Sequence, residues 1–578
     1  MKSLNIKYEK IFLSSWKPYI WLCILTLAVY FQTFWYSFSP MDDTWLIVQK
    51  LDSLKDISNL PSYFLNSTLG RAVGYYRPLL MITFMFDTLI GGGSPFVYHL
   101  SNVIFHMASV LLVFRLFTKT GINTLLSFVF AMIFAVHPAN VLAVAWIPGR
   151  NDVILSLFVF ASAITCINYF REHKIYWFIL HLFCLICALL TKESAIVLPF
   201  ILYIYYLLLH ENHKRTEKII FPIIWITVLA GWYLLRFYVV SGNVHLAQPN
   251  ATQTIIKTIS SMTIFFGRFF VPFELNGHWP LITGTLVLVI IVILILSKSI
   301  SSRMTLWGAL WFMMFLLVPV VFKGGVYNHW LYPASFGAFI LIAQVKPFKI
   351  NKIVQFGILF LVLGIFITKT LVESKIYKDE LTYANNYVNR SSDYIMSYFS
   401  RGIAYLKKNQ YNEAIRDFDR VLAVRTDFVN AYYNRGVAYN LLKKYDLAIN
   451  DFNKTVELSP NFVYAYLQRG NTYYLIGNYT LAVQDYSMYL RYNSPDPIVF
   501  LNRARAYYQL FQYNNAIQDL NHYIKIKPND SNGYYVLGIV YYDIQDLNKS
   551  YKLLLKALHM GYSVPPKLLE ELKAKLNL

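Results

Sequence analysis

The chain is 578 residues long, 56% hydrophobic and 17% aromatic, but only 14% charged. Soluble domains carry about 25% charged residues, and disordered chains lack apolar surface, so composition argues against an ordinary cytosolic enzyme and excludes disorder. Lys and Arg outnumber Asp and Glu by 52 to 31, and most of the surplus lies between long apolar runs before residue 379. There it reads as membrane topology and not as nucleic-acid binding. Cys23, Cys166, Cys184 and Cys187 all fall in apolar runs, which offers neither a disulfide framework nor metal-ligand spacing.

Apolar stretches of membrane-spanning length recur from the N-terminus onward. Spans are expected near 18–38, 97–118, 123–140, 152–170, 174–191, 194–210, 218–240, 281–297, 304–322, 330–345 and 351–372, about eleven in all. Two further stretches, 75–90 and 255–275, are interrupted by Arg77, Pro78 and Asp87, or by Lys257, Gly267 and Arg268, and read as interfacial or re-entrant helices. With the N-terminus inside, every inner connection is basic. Those connections carry Lys2, Lys7, Lys10 and Lys17, then Arg115 and Lys119, then Arg171 and Lys174. Lys214, Arg215 and Lys218 follow, then Lys298 and Arg303, then Lys346, Lys349 and Lys352. An odd number of spans then leaves the rest of the chain outside.

After a connecting helix over 379–396, residues 397–578 form a repeat array. Gly402, Gly436, Gly470, Ala504 and Gly538 recur every 34 residues, as do Tyr405, Tyr439, Tyr473, Tyr507 and Tyr541. Ala414, Ala448, Ala482 and Ala516 keep the same period, with Ser550 departing in the fifth unit. A 34-residue helix–turn–helix period with small residues where two helices meet is the tetratricopeptide pattern. The segment from Pro565 reads as a solubilising cap helix. The array has no chemistry of its own and offers a surface to an acceptor or partner protein. The whole chain is thus expected to be all-α, a polytopic membrane domain over 1–378 followed by an α-solenoid.

Only 13 carboxylates precede residue 379. Ionisable groups near membrane depth are costly and mark functional candidates. Asp42 and Asp43 follow the first span on the outer side, where a carboxylate can act as general base toward a hydroxyl. The same side collects Arg77 within the 75–90 stretch, and His99, Asn102 and His106 on one helical face. It also collects His137 at the end of the third span, Arg150 and Asp152 at the start of the fourth, the Lys192-Glu193 hairpin, and His329 with Tyr332 opening the tenth. Arg77, Arg150, Lys192 and His329 are candidates to neutralise a phosphate, Arg being suited to bidentate contact. No metal-ligand set, G-x-G-x-x-G turn or P-loop occurs.

The motifs Asp42-Asp43, Tyr76-Arg77-Pro78-Leu79, Tyr98-His99-Leu100 with Asn102 and His106, Phe134 to Pro138, Gly149 to Asp152, Thr191 to Ser194 and His329 to Pro333 together resemble one family. This is the transmembrane and tetratricopeptide-repeat-containing protein O-mannosyltransferases and their bacterial relatives, of the GT-C glycosyltransferase fold. The resemblance implies a polyprenyl- or dolichyl-phosphate sugar as donor, a hydroxyl acceptor as in protein O-glycosylation, inversion at the anomeric centre, and no divalent metal. It also implies that the acidic motif of the first outer loop supplies the base. Asp42 matches the first acid of the similar Asp-Glu pair in protein mannosyltransferases. Where animal members carry Glu-Arg before the Leu-Tyr of the last motif, this chain has Asn328, His329 and Trp330, leaving His329 to take over the phosphate contact.

Two other readings compete. One is a non-enzymatic membrane-anchored scaffold, which gives no reason for so many ionisable groups on one side. The other is a transporter of a lipid-linked substrate, which would place charges at span midpoints and show an inverted repeat. Frequent Asn, Ile, Lys and Tyr point to a bacterial inner membrane with periplasmic repeats. In a eukaryote the same topology would put them in the lumen of the endoplasmic reticulum.

Overall fold

The structure, a computed structural model, describes residues 12–39, 42–68, 75–210, 214–240, 251–272, 279–296, 302–323, 327–345, 351–390, 393–492 and 496–577. Among them every regular element is helical, and the chain divides into two compact units, Met1–Tyr383 and Ala384–Leu578. Lys2, Lys7, Lys10, Lys298, Lys346 and Lys349 lie outside the described residues, as do the side chains of Asp42, Lys257 and Lys352.

The first unit contains α1 (Lys17–Tyr30), α2 (Pro78–Gly91), α3 (Pro95–Lys119), α4 (Thr124–Val136), α5 (Arg150–Glu172), α6 (Ile175–Thr191) and α7 (Leu198–Leu209). It continues with α8 (Arg215–Val240), α9 (Ala251–Phe270), α10 (Trp279–Leu296), α11 (Ser302–Lys323), α12 (Leu331–Ala343) and α13 (Lys352–Ser374). Short helical turns join α1 to α2 and α4 to α5. Local chemistry sets several of these boundaries. Pro78 and Pro95 stand in the first turns of α2 and α3, where a missing N–H costs nothing. The Asn123 side chain caps α4 by accepting from the Leu126 N–H at 2.9 Å.

Each of the eleven expected spans falls on a helix, but they are not equivalent. Among the described residues six helices, in α1, α3, α5, α8, α11 and α13, are long and apolar enough to cross a membrane. A seventh results if α4 and the Pro138–Ala145 segment, bent by 49°, count as one span. His137 causes that break by adopting an extended backbone ahead of Pro138. The α6, α7 and α12 helices have 17, 12 and 13 residues and are shorter than a bilayer crossing. The 255–275 stretch, expected as an interfacial or re-entrant helix, falls largely on α9. Gly267 does not interrupt α9 but lets it approach α10, since a Cβ there would lie 2.5 Å from the Pro280 carbonyl oxygen. The α5 helix is the hub, with 78% of its apolar window buried.

The second unit stacks five helix pairs, the first helices being Tyr394–Lys407, Val429–Leu441, Val463–Leu475, Pro497–Gln509 and Ser531–Asp543. A final helix, Pro566–Lys575, buries Leu572. Gly402, Gly436 and Gly470 face the rings of Phe418, Phe452 and Tyr486, and Ser550 is buried where the other repeats have Ala. A further ladder runs through the array. Arg401, Arg435, Arg469 and Arg503 each donate through Nε and Nη2 to both oxygens of Asp417, Asp451, Asp485 and Asp519, at 2.6–2.8 Å. The Nη1 atoms of Arg435, Arg469 and Arg503 reach back to Asp419, Asn453 and Ser487 of the preceding repeat. In the middle three repeats this geometry clamps the first helix to two second helices.

Candidate functional site

Helices that are far apart in sequence begin or end around one cavity of about 320 Å³. Arg77 precedes α2, Gly149 to Asp152 open α5, Lys192 follows α6, and Tyr327, His329 and Trp330 precede α12; all line it. Three helix N-termini therefore converge there, each bringing partial positive charge. The turn into α5 is tight. A Cβ on Gly149 would lie 2.2 Å from the Leu142 carbonyl oxygen, so only glycine fits.

The cavity is built on charge pairs. Lys192 Nζ lies 2.5 Å from Asp152 Oδ1, and His329 Nε2 lies 3.9 Å from Asp152 Oδ2. Arg77 Nη2 lies 3.5 Å from Glu193 Oε1, and its guanidinium covers the Tyr75 ring at 4.3 Å. In the amide orientation that satisfies its neighbours, Asn151 donates to the Thr191 carbonyl (2.8 Å) and accepts from Arg77 Nη1 (3.0 Å). Beside His329, Asn328 accepts from Arg268 Nη1 at 2.9 Å. Two buried donors at the wall, Arg77 Nε and Trp146 Nε1, have no protein acceptor among the described residues. Buried donors without acceptors are costly, and they suit an oxygen-rich anion.

Of the expected phosphate contacts, Arg77, Lys192 and His329 are brought together, and Arg150 is not. Arg150 is fully buried and pairs with Asp87 at 2.6 Å. It also donates to the Tyr98 carbonyl (2.7 Å), to Ser101 Oγ (2.6 Å) and to Asn102 Oδ1. Desolvation makes the pairing obligatory, so Arg150 anchors the start of α5 and leaves Asn151 and Asp152 to face the cavity. Asn102 serves the same anchor, its amide donating to the carbonyls of Val144, Trp146 and Ile147.

The remaining candidates divide likewise. Asp43 is buried, and its Oδ2 accepts the Ser39 N–H at 2.7 Å, so it shapes the loop and does not line the cavity. Leu46, which ends the short Asp42–Leu46 helix, does line it. His106 bonds to Tyr332 and to the Ala135 carbonyl, and His137 bonds to the Phe269 carbonyl and the Ala139 N–H; these are internal packing contacts. His99 is buried beside the Tyr36 ring. Thr68, Leu80, Trp146 and Tyr327 line the cavity without having been singled out from sequence. Asp87 was readable as a signal, because a carboxylate in an apolar helix requires a partner. Among the described residues no group of three His, Cys, Asp or Glu could hold a metal ion.

The tetratricopeptide-repeat family matches residues 402–443, 429–462 and 499–530. The second unit is a tetratricopeptide-repeat array. The chain is also similar to Protein O-mannosyl-transferase TMTC1 of Mus musculus, 32% identical over 193 residues that cover 30% of this chain and 20% of that protein. Protein O-mannosyl-transferase TMTC2 of Homo sapiens is 33% identical over 156 residues, 26% of this chain and 18% of that protein. The matches span about a fifth of these relatives' length, and they fall in the family that the motifs resemble. Among solved structures, MamA protein is 22% identical with a TM-score of 0.29, covering 32% of this chain and 98% of that one.

Proposed function

We propose that the protein is a membrane glycosyltransferase that moves a sugar from a polyprenyl-phosphate donor to a hydroxyl group, with protein O-glycosylation as its role. One observation carries the reading: Arg77, Lys192 and His329 line one cavity at the ends of apolar helices, and two of its buried donors lack acceptors among the described residues. The cavity has the size of a sugar phosphate, and the surrounding helices suit an isoprenoid tail.

The chemistry follows from charge. The acceptor oxygen attacks the anomeric carbon, the bond from that carbon to the phosphate oxygen breaks, and configuration inverts. Asp42, one turn before the cavity-lining Leu46, takes the hydroxyl proton. Negative charge develops on the departing polyprenyl phosphate, where Arg77, Lys192 and His329 stabilise it. Asp152 holds Lys192 and His329 in place, and Glu193 and Asn151 hold Arg77. The repeats present the acceptor, and both lie on the non-cytoplasmic side.

Reconstituted protein supplied with a radiolabelled polyprenyl-phosphate hexose and a Ser/Thr peptide should label the peptide. Failure to bind any polyprenyl-phosphate sugar would refute the assignment.

A further inference from the structure

The two helices of each repeat join at a tight turn, and because successive first helices pack side by side, these turns line up along one edge of the array. In the first four repeats the turns are 407–410, 441–444, 475–478 and 509–512. A turn tip is the most solvated part of such a unit, and its composition is ordinarily polar. Here the tips are largely apolar. Leu441, Leu475, Ile476 and Phe511 stand exposed on three consecutive turns, Phe511 at 77%. Phe511 also has a left-handed backbone, φ 59°, at the position that Asn409 and Gly477 take in the first and third repeats. A bulky side chain is disfavoured in that conformation, which Asn and Gly accept, so neither packing nor turn geometry calls for Phe there.

Charge marks the same edge. The four turns hold four lysines, Lys407, Lys408, Lys443 and Lys444, and no acid. Glu413 and Asp446 follow inside the second helices, whose positive N-terminal ends they complement. The fifth turn carries Asp543 and Asp546 and ends the row. The opposite edge, where one repeat joins the next, also exposes Val424 and Ile526, but its basic residues are matched. Arg425 lies 3.1 Å from Asp427 there, and Lys527 is followed by Asp530. Directly behind the lysine-bearing tips, half-buried Tyr411, Tyr445, Tyr479 and Tyr513 open the second helices.

These are the parts of an interfacial membrane contact. Apolar side chains enter the acyl boundary, amphipathic rings sit at headgroup level, and lysines meet anionic headgroups. Successive tips stand about 10 Å apart, the spacing of packed helices, and each protrudes singly. A protein interface would gather its anchors into one central cluster, whereas a bilayer accepts them in a row. The chain also supplies the bilayer: α13 is apolar and of membrane length, and it ends at Ser374, shortly before the first repeat helix begins at Tyr394. Tethering of that kind presents the lipid surface at high effective concentration.

We propose that the turn edge of the first four repeats docks on the surface of an anionic lipid bilayer, with Leu475, Ile476 and Phe511 inserted at the acyl boundary and the lysines on the headgroups. The inference does not depend on the transfer reaction.

The test uses the full chain in vesicles. Cys23→Ala leaves a dye on Gln509→Cys without a competing accessible thiol, since the other three cysteines are buried. A control chain carries the dye at Asn461→Cys on the opposite edge. In vesicles of phosphatidylcholine with phosphatidylglycerol, lipids spin-labelled near the headgroup should quench the dye at 509 about threefold more strongly than the dye at 461. Pure phosphatidylcholine, or Lys408→Glu with Lys443→Glu and Lys444→Glu, should cut the quenching at 509 about threefold or more. Leu475→Ser with Ile476→Ser and Phe511→Ser should do the same with unchanged helical circular dichroism. If that variant is unfolded, the two lipid compositions with the native tips still decide. Equal quenching at 509 and 461, or equal quenching at 509 in both lipid compositions, would overturn the inference. So would a dye at 509 that is shielded from water but not quenched by lipid, which would assign the edge to a protein partner or a second copy.

Discussion

Replacing Arg150 with Met should destabilise the membrane unit without acting directly on the donor. The guanidinium pairs with Asp87 at 2.6 Å and makes three further hydrogen bonds, to Tyr98, Ser101 and Asn102. Hydrogen bonds between membrane helices are each worth only about 0.6 kcal/mol, so losing these three costs roughly 2 kcal/mol. The Asp87 carboxylate, left with Ser101 as its partner at 2.7 Å, adds the larger part, since stranding one member of a buried pair costs about 3–5 kcal/mol. Replacing both residues, as Arg150→Met with Asp87→Leu, removes the stranded charge and should recover about 2–3 kcal/mol, because buried pairs exchange for apolar side chains at little net cost. Reversible unfolding in mixed micelles, run as a double-mutant cycle, measures this coupling. Polyprenyl-phosphate binding by the folded fraction should stay within about threefold of wild type. A fully stable Arg150→Met protein with donor affinity reduced tenfold or more would refute the reasoning and return Arg150 to the phosphate.

Arg77→Gln removes a charge-assisted donor from the cavity wall and should weaken polyprenyl-phosphate binding about tenfold, read by isothermal titration, with little change in stability because Arg77 is not part of the core. Asp42→Asn should lower transfer by roughly 10²–10⁴-fold while donor binding survives. Asp43→Asn keeps an acceptor for the Ser39 N–H and should lower transfer far less, so full activity in Asp42→Asn would eliminate the assigned base. Gly436→Val should destabilise the repeat array by about 1–3 kcal/mol in denaturant unfolding, since even the first added carbon lies 2.8 Å from the Phe452 ring.

Periodicity alone decided the repeats. A 34-residue recurrence of small and aromatic residues specifies a unit that meets only its neighbours, so local pattern and tertiary packing coincide there. Apolar runs likewise located the helices of the membrane half, because a bilayer demands long apolar segments with internally satisfied backbones. What those runs left open was which helices are long enough to cross and how they break, since a residue such as His137 bends the chain without interrupting its hydrophobicity. Position along a span also brought Arg77, Asp152, Lys192 and His329 to one end of the bundle. It could not separate Arg150 from Asp152, two residues apart on one helix turn. Only packing decided that Arg150 turns to Asp87 on α2 while Asp152 turns to Lys192. The direction a charge faces depends on which helix lies beside it, and sequence spacing does not carry that neighbour. The same holds for the Arg–Asp ladder, whose members stand 16 residues apart and become partners only when the two helices of a repeat fold back on each other.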